Sequence, residues 1–101
     1  MNTQEKAAEM KADVAKAEQR LQNVEAWIAS AASDAERLSE QIGDAYGAGD
    51  LPRTETLVDE LTRKLAILEC RQGILSGSRK GLAHYRDALN AFSKANPTEV
   101  Q

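Results

Sequence analysis

A chain of 101 residues, 42% apolar and 29% charged, has the size of one domain and the composition of a soluble, helix-rich protein. Four aromatics, one cysteine and one histidine exclude a core built on rings, an intramolecular disulfide and a Cys/His zinc site. No apolar run approaches the roughly 20 residues that span a bilayer, and Met1 to Ala15 is charged throughout, so no membrane association and a cytoplasmic location are expected.

The first predicted element is a helix over about residues 3–45. No Pro or Gly interrupts Asn2 to Ile42, and Ala, Glu, Lys, Gln and Arg dominate the segment, all of them good helix formers. Small or apolar residues step alternately by three and four along it. The ladder runs Ala7, Met10, Val14, Ala17, Leu21, Val24 and then Ile28, Ala31, Ala35, Leu38, Ile42, Ala45, the a/d spacing of a coiled-coil seam. The start is read at Thr3. Three residues on stands Lys6 rather than the acid or amide of a capping box, so a weak cap and fraying are expected.

Gly43, Gly47 and Gly49 end that helix, and a turn is predicted at Gly47-Ala48-Gly49-Asp50. The second helix is predicted over about 53–95, with Asp50 and Thr54 as candidate caps and Pro52 in its first turn. Asn96-Pro97 stops it, and residues 97–101 are expected to be a disordered tail.

Leu61, Leu68, Leu75, Leu82 and Leu89 stand seven apart. If the chain folds back at the turn, residues whose numbers sum to 99 face one another: Leu61 meets Leu38, Leu68 meets Ala31, Leu75 meets Val24, Leu82 meets Ala17 and Leu89 meets Met10. The fold class that follows is all-α, a long antiparallel helical hairpin of coiled-coil type forming a single domain over 1–96. Gly73, Gly77 and Gly81 set a kinked or broken second helix against a continuous one, since each costs about 1 kcal/mol against Ala. The leucine phase runs unchanged through the glycines, which favours continuity.

The d positions of the second helix read Leu57, Lys64, Arg71, Ser78, Tyr85 and Phe92. Lys64 and Arg71 must snorkel outward over Ala35 and Ile28. Apolar residues stand beside the seam instead: Val58 and Leu65 on the e side, Ile67 and Ile74 on the g side with Cys70 adjacent, and Trp27 on the g side of the first helix, expected near Ile74. Trp27, Leu65, Ile67, Cys70 and Ile74 are therefore the candidate partner-binding residues, since a two-stranded coil covers only a narrow stripe. A protein partner or a second copy, the latter as a four-helix bundle, is the favoured cover over a third helix made by a break at Gly77.

The net charge of −3 divides into −5 over residues 1–50 and +2 over 51–101. Arg71, Arg79, Lys80 and Arg86 are the candidate contacts for an anionic partner, against the simpler reading that they pair with Glu5, Glu9, Asp13, Glu18 and Glu25 across the hairpin. The sequence pI near 5.1 and the lack of a helix-turn-helix or Gly-aromatic motif make nucleic acid the alternative rather than the leading partner.

His84 stands alone, and neither a nucleophile elbow, a phosphate-binding glycine loop nor H-E-x-x-H occurs. No catalytic residue, cofactor or metal is assigned. In size and predicted shape the chain is similar to small secreted helical hairpins of the WXG type, but its turn reads Tyr46-Gly47-Ala48-Gly49 in place of their Trp-x-Gly. That similarity is architectural and carries no residues over. The expected function is non-enzymatic protein–protein interaction, as an adaptor, an assembly factor or a small inhibitor of a larger machine. Small acidic helical proteins of phage and mobile elements offer an analogy of class for the last of these.

Overall fold

The computed structural model describes residues 2–97, in which two 45-residue helices, α1 (Thr3–Gly47) and α2 (Leu51–Ala95), form a helical hairpin. Most of the tail expected to be disordered, from Thr98 onward, lies outside the described residues. No helix among the described residues is long and apolar enough to cross a membrane.

The cap of α1 corrects the sequence reading. Asn2, not Thr3, is the N-cap: its Oδ1 accepts the Glu5 N–H at 2.8 Å, and its Nδ2 donates to Glu5 Oε1 at 3.4 Å. Asn2-x-x-Glu5 is close to a capping box, one residue upstream of the spacing first considered. One backbone N–H of the first turn is thus capped by Asn2, and the side-chain contact between Asn2 and Glu5 holds the cap in place.

Three residues, Ala48-Gly49-Asp50, connect the helices. Gly49 N–H donates to Tyr46 O and Asp50 N–H to Ala45 O, both at 3.0 Å, the paired bonds of a Schellman close. That close needs a left-handed residue after the helix, and Gly49 supplies it at φ +75°. Asp50 then opens α2 at once, its Oδ1 accepting the Arg53 N–H at 3.2 Å. Thr54 is inside the helix and donates its hydroxyl to Asp50 O at 2.7 Å, so Asp50 is the cap.

α2 runs without interruption through Gly73, Gly77 and Gly81, and a Cβ added at any of them would meet nothing within 4 Å. They are neither breaks nor points of close approach. The alternative of a broken helix, and the third helix it would have created, is corrected accordingly: the packing that fixes Leu75, Leu82 and Leu89 in phase outweighs three weak propensities.

The hairpin comprises two compact units. The turn unit is Glu25–Ile74; the terminal unit joins Met1–Val24 to Leu75–Gln101. In the turn unit Leu38, Ala45 and Leu57 form a buried cluster with Ile42 and Leu61 packed against it. Leu38 with Leu61, and Ile42 with Leu57, are pairs whose numbers sum to 99. In the terminal unit Ala7, Ala17 and Leu82 are buried, and Leu82 with Ala17 obeys the same sum. Every residue of the α1 ladder is buried or half-buried. The buried positions are all alanine or leucine; Leu82 is opposed by the small Ala17, whereas Leu38 and Leu57 are covered by the larger Leu61 and Ile42.

Candidate functional site

Two charged side chains stand in the seam of the turn unit, and where they go defines its surface. Lys64 Nζ lies 3.5 Å from Asp34 Oδ2, and Asp34 Oδ1 also takes Arg37 Nη2 at 3.1 Å. The Arg71 guanidinium stacks on the Trp27 ring, 3.8 Å from its centroid, and its Nη1 donates to the Trp27 carbonyl at 3.2 Å. Its Nε is buried without a partner. The seam is too narrow to hydrate a charge, so the stems stay in and the heads leave. They end on Asp34 and Trp27, the residues just before Ala35 and Ile28.

Both heads leave on the same side, and this assigns the flanks. Lys64 and Arg71 occupy d positions, which lean toward g on their own helix; they meet Asp34 and Trp27, which occupy g positions of α1. One flank of the turn unit therefore carries Trp27, Ile67 and Ile74, with Cys70, an exposed free thiol, next to them. Leu65 is two residues from Ile67, about 200° around the helix, and so stands on the opposite flank. The structure thus brings together four of the five candidate partner-binding residues and separates Leu65 from them. Arg71 covers one face of Trp27, a contact the spacing alone does not predict.

Leu65 is not isolated where it stands. Leu51, Val58 and Leu65 are seven apart along that second flank, 57%, 43% and 51% exposed, and Tyr46 at the end of α1 occupies the corresponding e position. Leu51 and Tyr46 were not singled out from sequence, although the seven-residue spacing was there to be read. On the Trp27 flank, Glu60, Arg63, Lys64 and Ile67 line a shallow depression of about 290 Å³ that is open to solvent. It encloses nothing.

The basic residues of the terminal unit are partly engaged. Arg86 Nη2 pairs with Glu18 Oε1 at 3.1 Å, and Lys6 Nζ lies 5.7 Å over the Phe92 ring. Arg79 and Lys80 are exposed, with no ion pair among the described residues. Of the four candidate anionic-partner contacts, then, Arg71 is taken up by Trp27 and Arg86 by Glu18. His84 meets Tyr85 edge-on at 5.8 Å. Among the described residues no group of three or more His, Cys, Asp or Glu is placed to hold a metal ion.

In comparisons with protein-family models, curated proteins and solved structures, nothing matches this chain.

Proposed function

We propose that the chain is a non-enzymatic protein-interaction module whose turn unit docks a helical partner, in the role of an adaptor, an assembly factor or a small inhibitor. One observation carries this reading. Every large hydrophobic side chain left exposed among the described residues belongs to the turn unit, where the seam is already filled by Leu38, Ile42, Leu57 and Leu61. Exposed apolar surface concentrated in one region marks interaction sites, and Trp is among the residue types that dominate binding energy. The test is affinity capture from the native cell with the wild-type chain and with Trp27→Ser/Ile74→Ser. A partner retained by the wild type and lost by a variant of unchanged helicity supports the reading; equal capture by both refutes it.

Arg79 and Lys80 favour a second reading, a nucleic-acid-associated accessory protein, because they alone among the four basic candidates have no partner among the described residues. It is the weaker one, since two unengaged bases neutralise few phosphates.

A further inference from the structure

Sorting the charges of the turn unit by flank shows an asymmetry that the net charge hides. All five of its bases stand on the Trp27 flank: Arg37 and Arg63 at c, Arg53 at g, and Lys64 and Arg71 directed there by their contacts with Asp34 and Trp27. Three acids share that flank, Asp34, Asp44 and Glu60, which leaves it at +2; Glu40 and Asp59 at f and Asp50 in the turn belong to neither flank. The Val58 flank carries Glu25, Glu36, Glu55 and Glu69 and not one base, a charge of −4. These four carboxylates are exposed and stand at e and b positions, beside the apolar row Leu51, Val58, Leu65.

Resting on the interaction-module reading above, we infer that the partner of the turn unit is a second copy of this chain, docked with its Trp27 flank on the Val58 flank of the first. Each flank offers apolar side chains at helical spacing, and the two rims are opposite in sign. Pairing like with like fails on the same count. Two Val58 flanks would face four carboxylates with four, and two Trp27 flanks would bring together two surfaces of net charge +2, whereas the unlike pairing sets +2 against −4 around an apolar centre. Such a contact is heterologous. Each copy retains one free flank of each kind, so assembly continues beyond a dimer unless the rotation closes a ring.

The full-length purified chain tests this directly. Sedimentation velocity of the wild type over a concentration series should show a weight-average mass that rises past twice the monomer. Association should weaken several-fold between low and high salt, because exposed charges are screened within about 10 Å at 0.1 M. Val58→Lys/Leu65→Lys should disable one flank and Ile67→Asp/Ile74→Asp the other, leaving each variant alone a monomer with wild-type circular dichroism. Mixing the two variants in equal amounts should produce a species of twice the monomer mass and no larger one, since each contributes its one intact flank. A wild type that stays monomeric at its highest soluble concentration overturns the inference. So does a single-flank variant that still dimerises alone, or a variant mixture that stays monomeric. If the wild type is monomeric yet its capture of another protein from the native cell is lost with Trp27→Ser/Ile74→Ser, the self-association inference fails and the interaction-module reading stands. If that capture is unaffected, the module reading fails on its own test.

Discussion

In the turn unit, the large apolar side chains outnumber the places in the seam, and seven of them emerge on the flanks. The terminal unit obeys the same a/d rule with a different outcome. Leu75, Leu82, Leu89, Tyr85 and Phe92 are all buried or half-buried there, and no large hydrophobic among its described residues is exposed. Charge follows the same division. The turn unit has ten acids against five bases, and the terminal unit six against eight. The comparison teaches that one repeat can serve two ends. Where apolar residues are confined to a and d, they are covered by the opposite helix; where they spill onto e and g, apolar surface is left exposed.

The largest effect that can break this comparison concerns the seam itself. Leu57→Ala in the turn unit and Leu82→Ala in the terminal unit, both buried in the wild type at 7% and 4% exposure, should each cost about 2–4 kcal/mol in urea unfolding followed by circular dichroism. Leu65→Ala, on a flank of the turn unit, should stay within about 0.5 kcal/mol. If Leu65→Ala cost as much as Leu57→Ala, the flank would be core and the distinction between the two units would collapse.

Next in size is the Trp27–Arg71 stack, which ties the flank to the seam. Trp27→Ala should destabilise by about 1 kcal/mol through lost cation–π contact. A double-mutant cycle with Arg71→Ala should return a coupling of about 0.5–1 kcal/mol. Zero coupling would mean that Arg71 is merely near the ring.

The seam was legible in the sequence to a fine degree because it depends only on periodicity. The predicted α1 ladder, Ala7 to Ala45, and the d positions Leu57 to Phe92 are all buried or half-buried. What periodicity does not encode is the direction of a long side chain. Nothing in the spacing says that Arg71, centred at d, stacks on Trp27, a contact that stands beside the shared flank of Trp27 and Ile74. At the start of α1 two spacings compete, Thr3-x-x-Lys6 and Asn2-x-x-Glu5, and only the second offers an acid at the third position, which is the one the structure uses. The charge segregation of the turn unit was obscured for a different reason: summing charge by halves of the chain mixes the two flanks, which only heptad position separates. The apolar surplus is visible in the sequence, but the candidate set draws on both sides of the seam: Leu65 stands at e and Ile67 and Ile74 at g, and those positions face opposite flanks.

The glycines offer a smaller effect, with one site in each unit. Gly73 lies in the turn unit and Gly77 in the terminal unit, both exposed, within α2, and with open space where a Cβ would go. Replacing either by Ala should stabilise the protein by about 0.5–1 kcal/mol, since the helix gains propensity and nothing clashes. Thermal melts would show this as a rise in Tm for each variant. A gain at Gly77 with a loss at Gly73 would indicate that the turn unit uses flexibility there, a difference that the open space at both sites does not anticipate.

The smallest expected effect separates the two function classes. Arg79 and Lys80 are exposed and unpaired among the described residues, so Arg79→Glu/Lys80→Glu removes no ion pair and should change stability by less than about 0.5 kcal/mol. Removing the Arg86–Glu18 pair, with both side chains about half exposed at 55% and 45%, should cost no more than about 1 kcal/mol, because solvent screens it. If the chain acts through the turn unit, partner capture by the Arg79→Glu/Lys80→Glu variant should equal that of the wild type, since neither residue lies in that unit. A nucleic-acid function predicts the reverse. Wild-type binding to a short duplex would then be measurable at low salt and fall steeply as salt rises, by roughly 0.9 in the logarithmic slope for every phosphate neutralised, and the double reversal would abolish it. Because Arg71 is stacked on Trp27 and Arg86 is paired with Glu18, Arg79 and Lys80 are the two of these four candidates without a contact among the described residues, and the expected result is no binding that survives about 0.15 M salt.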